Sequence, residues 1–223
     1  MLKHAVATAL FLTLSLPAAA ACVGESYLDR LGDDQTAELT DAVTAMPYAE
    51  GLTWTATKGR DTLTIVGTMH IYDPRLEAIR EKVSAAVSAA DLIMLEATPE
   101  EEAKLQQLIT DEPGRLFILD GPTLPDLLDE ATWQLVADAS AERGIPTFIA
   151  AKMRPWSLSL LLAIPPCAMG DMAAGVRGLD HMLTQDAQAA NVPLQAIEPY
   201  TTLFDLFKDE PISDQIDMLR VNM

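Results

Sequence analysis

Short apolar runs alternate along this chain with longer segments in which apolar residues recur at helical spacing. The strand-like runs are residues 52–57, 62–66, 91–96, 146–150 and 193–197, and the helical segments are residues 74–90, 132–143, 178–190 and 200–207, with further helices from Pro99 and after Trp156. Such alternation is typical of a largely parallel sheet with helices packed on its faces. The turn residues between the first two runs indicate a hairpin. We therefore predict an α/β fold with a mixed, mainly parallel sheet flanked by helices.

The N-terminal segment has the pattern of a secretory signal peptide. A weakly positive start around Lys3 precedes an apolar stretch from Ala5 to Pro17, and four alanines at residues 18–21 supply the small residues that a signal peptidase requires. The stretch is too short for a transmembrane helix, which needs about 20 apolar residues. We predict a signal peptide at residues 1–21, one domain at residues 22–223, and a secreted or periplasmic mature protein without a transmembrane span.

The cysteine content agrees with export. Cys22 and Cys167 form an even pair in a chain directed to an oxidising compartment, so we expect a disulfide between them, with two free thiols as the alternative. After signal cleavage Cys22 would also stand near the new N-terminus, where lipoproteins carry their acylated cysteine. Because Ala19 occupies the position where a lipoprotein signal normally has leucine, we favour a protein without a lipid anchor at Cys22.

The chain is strongly acidic. Its 33 Asp and Glu residues against 15 Lys and Arg residues give a formal net charge of −18. This charge argues against a nucleic-acid partner and against binding to an anionic membrane surface, since both attract basic proteins. Many acidic residues fall at predicted helix N-termini, where the helix dipole favours them. The charge therefore excludes two classes of partner without identifying a substrate.

Polar side chains recur where the predicted strands end. His70 follows the second strand, Glu96 closes the third, Arg154 comes shortly after the fourth, and Glu198 closes the fifth. The carboxyl ends of parallel strands share one edge of a sheet, so these side chains can converge. One imidazole and two carboxylates suit a divalent metal, so we predict His70, Glu96 and Glu198 as its ligands. Arg154 is suited to pair with a substrate carboxylate or an oxyanion.

Each of these residues also has a purely structural interpretation. His70 can be a hydrogen-bonded structural histidine. Glu96 can cap the helix that begins at Pro99, and Arg154 can form an ordinary salt bridge with Glu198. The recurrence of polar residues at strand ends, rather than any single residue, favours a functional site.

The sequence also suggests roles for three further residues. Asp180 is expected in the first turn of the helix predicted at residues 178–190, where it either complements the helix dipole or reaches the site. His181, the other histidine outside the signal peptide, is expected on the helix surface or beside the sheet. Gly67, three residues before His70, allows a close backbone approach or an unusual φ.

Five short segments taken together resemble the TraB/GumN family, which includes the PrgY-type pheromone-shutdown proteins and to which the TIKI metalloproteases are similar. The segments are Val66–His70, Leu95–Ala97, Arg154–Trp156, Gly178–Asp180 and Ala196–Pro199. Each is short, but their ordered set is specific and covers most of the chain after the signal peptide.

The resemblance implies a glycine-x-x-histidine site on an α/β scaffold. In the TIKI relatives such a site accompanies peptide cleavage that depends on a divalent metal, so we expect a divalent metal of the Mn or Co class here. His70 and Glu96 match the first histidine motif and its partner acid, and Arg154, Asp180 and Glu198 match other polar positions of the family. We therefore expect an exported metal-dependent hydrolase acting on peptide or amide bonds, with Glu96, Arg154 and Glu198 as its catalytic residues.

The family pattern normally continues to a second glycine-rich motif carrying a second histidine, which this sequence does not contain. The resemblance therefore implies that the chain corresponds to the N-terminal two-thirds of the family domain, with a fold incomplete at its C-terminus and weakened catalysis. The alternative function is a non-catalytic periplasmic protein that binds or sequesters a peptide or another small ligand in the same cleft.

Overall fold

The computed structural model describes Cys22 and residues 24–221; the signal peptide predicted at residues 1–21 lies outside this part of the chain. The strands are β1 (Thr53–Lys58), β2 (Asp61–Val66), β3 (Ile93–Leu95) and β4 (Leu194–Ala196). The helices are α1 (Asp33–Ala45), α2 (Leu76–Ser88), α3 (Pro99–Asp111), α4 (Leu124–Leu127), α5 (Glu130–Glu142), α6 (Thr147–Ala150), α7 (Pro155–Leu162), α8 (Met169–Ala173), α9 (Leu179–Ala189), α10 (Thr202–Phe207) and α11 (Ile212–Val221). Short 3₁₀ turns lie at Tyr27–Arg30, Pro113–Arg115 and Pro166–Ala168.

The described strands form two separate pairs. β1 and β2 are an antiparallel hairpin in which Trp54 lies opposite Ile65. β3 and β4 are parallel, with Leu95 opposite Ala196, and the Ile197 amide extends the ladder by donating to the Leu95 carbonyl at 2.7 Å. The prediction of a mixed α/β fold is confirmed, although each sheet has only two strands and helices make up most of the structure.

Two groups of buried side chains form the core. The first, which we call the α2–α9 cluster, joins the inner faces of α2 and α9 and continues under β3 and β4. Its buried members are Leu76, Val83, Val87, Leu179, Met182, Leu183, Ala187 and Val192. The second, the α5–α7 cluster, fills the middle of the chain and is covered by α11. Its buried members are Leu124, Leu128, Val136, Ala150, Met153, Leu158, Leu162, Ile216 and Leu219.

An ion pair joins α2 to α9 beside the first cluster. The guanidinium of Arg80 donates to both carboxylate oxygens of Asp186, with Nε to Oδ2 at 2.8 Å and Nη2 to Oδ1 at 2.6 Å. Two parallel charge-assisted bonds fix the orientation of both side chains. The pair therefore links α2 to α9, the helix that carries Asp180.

The prediction of a strand at residues 146–150 is wrong, because this segment forms helix α6. Pro146 precedes the helix with φ −60° and ψ 137°, and its carbonyl accepts from the amides of Ile149 and Ala150 at 2.8 and 3.0 Å. Ile149 and Ala150 pack on the α5–α7 cluster, whereas Phe148 is 71% exposed. A short apolar run fits one helical turn as well as a strand, so its hydrophobicity alone does not distinguish them.

The predicted disulfide between Cys22 and Cys167 is confirmed. It ties the start of the described chain to the 3₁₀ turn that precedes α8, across a sequence separation of 145 residues. Such a bond is compatible with an extracellular or periplasmic protein. The segment that it tethers includes α1, which buries no side chain.

Among the described helices, no single one is long and apolar enough to cross a bilayer. One pair of described segments, 155–162 and 166–173, passes the same test when taken together, with a bend of 79° between them.

Candidate functional site

The loop that carries His70 continues directly from the hairpin. The Gly67 amide donates to the Leu52 carbonyl at 2.8 Å and so prolongs the β1–β2 ladder by one residue. The chain then leaves the strand in irregular conformation, and His70 comes three residues later with 66% of its side chain exposed. The hairpin therefore presents the imidazole at the surface.

Asp180 and Glu96 lie on the two sides of the His70 ring. Nδ1 is 2.9 Å from Oδ2 of Asp180, and Nε2 is 3.3 Å from Oε2 of Glu96. Asp180 sits in the first turn of α9, where the helix N-terminus favours a negative charge. Its side chain is 30% exposed and that of Glu96 is 75% exposed, so the Asp180 side of the ring is the more enclosed.

The two carboxylates shift the protonation equilibrium of His70. The hydrogen bond to Asp180 raises the pKa of the imidazole above 6.5; partial burial acts against this, and the charges of Asp180 and Glu96 add to the increase. A raised pKa means that the carboxylates stabilise the imidazolium more than the neutral ring. In the neutral ring, an Nδ1–H donated to Asp180 leaves the Nε2 lone pair facing Glu96.

Glu96 and Glu198 leave the parallel pair at the same edge. Glu96 follows Leu95 at the end of β3, and Glu198 follows Ile197, whose amide is bonded to Leu95. Glu198 is exposed, and no hydrogen bond or ion pair holds its carboxylate within the described part of the chain. Glu96 is not the cap of α3, because Thr98 takes that role by accepting from the Glu101 amide at 3.3 Å.

Arg154 is held by backbone carbonyls of the segment that follows α3. Its Nε donates to the Gly114 carbonyl at 2.7 Å, and its amide donates to the Leu116 carbonyl at 2.8 Å. Neither a hydrogen bond nor an ion pair connects Arg154 to His70 or Glu198 among residues 24–221. In this structure Arg154 supports the loop after α3, and the alternative of a salt bridge with Glu198 does not apply.

His181 follows Asp180 but does not join the site. Its Nε2 lies 3.1 Å from Nε2 of Gln185, one turn along α9. The His181 side chain is half-buried, and its contact with Gln185 runs along α9. Of the two described histidines, only His70 contacts carboxylates, so His181 can serve as a control for it.

The groups around His70 provide some, but not all, of the ligands that a divalent cation usually takes. Donors about 2.1 Å from a tetrahedral metal lie roughly 3.4 Å apart, close to the 3.3 Å between His70 Nε2 and Glu96 Oε2. A carboxylate bonded to the other ring nitrogen, as Asp180 is, commonly orients a metal-binding histidine. No group of three or more His, Cys, Asp or Glu side chains in the described chain is arranged to hold a metal. The structure therefore offers two donors and an orienting carboxylate.

The sequence leaves the role of Asp180 open and does not single out Gly178. Asp180 fits equally well as an ordinary first-turn carboxylate, because the sequence does not reveal which way α9 is rotated. Gly178, the residue that begins the α9 turn, packs against the backbone of the His70 loop. The sequence feature that points to both residues is the segment Gly178–Asp180, in which a glycine stands two positions before an aspartate.

The comparisons with known proteins identify the family. A sequence model of the TraB/PrgY/gumN family matches residues 52–223, which span both strand pairs and every site residue discussed above. Neither the curated proteins nor the solved structures contain a significant match. Because the matched segment covers well over half of the chain, the protein belongs to the TraB/PrgY/gumN family.

Proposed function

We propose that this protein is an exported hydrolase that uses a divalent metal to cleave peptide or amide bonds. The observation that carries the proposal is the bridged His70 ring, with Asp180 at Nδ1 and Glu96 beside Nε2. A solvent-exposed histidine needs no carboxylate at each nitrogen for stability, whereas a metal-binding histidine needs one orienting group and a neighbouring ligand.

The residues have separate roles in this proposal. Asp180 accepts from Nδ1–H and keeps the ring in the orientation that directs Nε2 outward. His70 Nε2 and Glu96 are the two protein donors that lie together, and Glu198, exposed at the neighbouring strand end, is the nearby carboxylate of the proposed site. When bound, a divalent cation supplies Lewis acidity and lowers the pKa of water. A carboxylate that is not engaged as a ligand accepts the proton of the attacking water.

Export forms part of the same proposal. The N-terminal pattern of residues 1–21 resembles a signal peptide, and the Cys22–Cys167 disulfide is compatible with an oxidising compartment. Expression of the full chain with its own N-terminus in a bacterial host, followed by fractionation and mass spectrometry of the mature N-terminus, tests this part. A mature protein that begins near residue 22 in the periplasm supports export, and an intact N-terminus in the cytosol contradicts it.

The metal site is tested by titrating the chelator-treated protein with Co²⁺ and Mn²⁺. We expect saturable binding of Co²⁺, which is measured through the visible absorption spectrum of the bound ion. This binding should be lost in His70→Ala. Asp180→Asn, which removes an orienting group rather than a ligand, should weaken binding by about 10–100-fold. His181→Ala is the matched control, since it removes the neighbouring histidine of the same chain and should leave binding unchanged.

Hydrolysis is tested with the same variants on a library of quenched fluorescent peptides. We expect turnover that requires added metal and is lost in His70→Ala and Glu96→Gln but retained in His181→Ala. Turnover that is equal in the wild type and in His70→Ala overturns the proposed mechanism. Failure to bind Co²⁺ or Mn²⁺ overturns the metal site.

A second candidate is a protein that binds a peptide without cleaving it. The finding that favours it is that only two donors converge at His70 among residues 24–221, which leaves the metal site short of a usual ligand set. This function predicts that library peptides raise the melting temperature without turnover and without added metal. Metal-dependent turnover that is lost in His70→Ala excludes it.

A further inference from the structure

Gly178 packs directly against the loop that presents His70. The Gly178 amide donates to the His70 carbonyl at 2.9 Å, and the Leu179 amide donates to the Met69 carbonyl at 2.9 Å. Gly178 is buried, and Leu179 is fully buried in the α2–α9 cluster. Two successive amides at the start of α9 thus hold two successive carbonyls of the loop.

These contacts use groups that a helix cannot satisfy internally. The first amides of an α-helix lack acceptors within the helix and are usually capped by a side chain or by water. No side chain caps α9 at Gly178, and the backbone of the His70 loop takes that place. Asp180, two residues further on, then reaches the His70 ring from the same turn. One helix end therefore fixes both the backbone and the ring of His70.

A glycine is required at position 178 for space rather than for backbone conformation. Its φ of −73° and ψ of −169° are open to any residue. A Cβ placed there would lie 2.7 Å from the Met69 carbonyl carbon and would overlap the Met69 carbonyl oxygen. These are backbone atoms, so they cannot move aside as a flexible side chain can. By contrast, a Cβ at Gly67 would meet only ordinary contacts with Leu52.

We propose that Gly178 is a positioning residue of the His70 site, which sets the distance between the His70 loop and α9 so that Asp180 can bind Nδ1. Any side chain at position 178 pushes the His70 loop away from α9 and breaks the hydrogen bond between Asp180 and the His70 ring. The proposal concerns the geometry of the free protein and does not depend on the bound metal or on hydrolysis.

The test compares Gly178→Ala with Gly170→Ala in metal-free protein. Gly170 lies in α8, where a Cβ would meet nothing within 4 Å. Gly170→Ala therefore controls for a glycine-to-alanine substitution that causes no steric clash. The readout is the ring ¹⁵N shifts of labelled His70 at a pH where the ring is neutral, since they report which nitrogen carries the proton. We expect an Nδ1–H signature in the wild type and in Gly170→Ala, and its loss in Gly178→Ala and in Asp180→Ala.

A second measurement keeps the proposal testable if Gly178→Ala does not fold. In the wild type, hydrogen exchange of the Gly178 and Leu179 amides should be at least about tenfold slower than that of the Glu100 amide in the first turn of α3, which has no acceptor among the described residues. Rapid exchange of both amides overturns the proposal. So does a folded Gly178→Ala that retains the wild-type ring shifts, because the ring would then not need the close approach.

Discussion

Asp180 and His70 are 110 positions apart in the chain, yet Oδ2 of one lies 2.9 Å from Nδ1 of the other. The contact joins the loop after the hairpin to the first turn of α9. Because Glu96 lies 3.3 Å from the second ring nitrogen, the imidazole is held between two acids that come from different elements. The protonation of His70 is therefore a direct measure of whether this arrangement forms in solution.

We expect the pKa of His70 to lie above 6.5 in metal-free protein and to fall in Asp180→Asn, because the Asp180 hydrogen bond is the largest cause of the increase. A group whose pKa is raised by folding stabilises the fold most in its protonated form. This stabilisation is complete below pH 6.5 and is lost as the pH rises through the folded-state pKa. An NMR titration of the His70 ring protons provides the measurement, with His181→Gln used to assign the signals. Equal pKa values for His70 in the wild type and Asp180→Asn contradict the prediction.

Arg80 and Asp186 should be energetically coupled. The pair is half-buried and bidentate, so a double-mutant cycle with Arg80→Met and Asp186→Asn should give a coupling of about 0.5–1 kcal/mol in the free energy of unfolding. Arg80 holds the pKa of Asp186 below 3.8, so the coupling is fully present above pH 3.8 and disappears as the pH falls through the folded-state pKa. Urea unfolding at pH 7 and at more acidic pH measures it. A coupling that does not weaken on acidification would mean that charge is not its source.

Loss of the disulfide should destabilise the protein without changing the site. Cys22→Ser, Cys167→Ser and the double variant should each lower the free energy of unfolding by the same amount, about 2–5 kcal/mol, because each opens the same long loop. Since α1 buries no side chain, its amides should exchange faster in these variants. Thermal unfolding with and without a reducing agent checks this: reduction should lower the melting temperature of the wild type and leave the variants unaffected.

The α5–α7 cluster offers a matched pair of leucines on one helix. Leu158 is fully buried and Leu160 is 40% exposed, although both belong to α7. Leu158→Ala should lower the free energy of unfolding by about 2–5 kcal/mol because it leaves a cavity. Leu160→Ala should cost less than about 1 kcal/mol. Denaturant unfolding of both variants measures the two changes in the free energy of unfolding. Equal changes would show that the α5–α7 cluster is not packed as described.

The sequence predicts that His70 and Glu96 lie close together, on the expectation that the strands before them share one parallel sheet. The two side chains do lie 3.3 Å apart, but β2 and β3 belong to separate sheets, so a shared sheet edge is not the reason. Short apolar runs also misled, since residues 146–150 form a helical turn with the same composition as a strand.

The role of Asp180 and the need for Gly178 could not be predicted in the same way. Both depend on how closely and at what rotation α9 packs against the His70 loop, and this is set by contacts between segments far apart in sequence. Arg154 illustrates the same limit, because nothing in the sequence reveals that its Nε donates to the Gly114 carbonyl.

The two core clusters differ in how far apart their members are along the chain. The α5–α7 cluster is built largely from residues 124–162, whereas the β3–β4 pair and the α2–α9 cluster join segments about 100 residues apart. Contacts between distant segments require the closure of a long loop and form more slowly than local ones. We therefore expect the middle of the chain to acquire its core first during refolding. The hydrogen bond between Asp180 and His70 requires the two distant segments to meet, so we expect it to form at a late stage of folding.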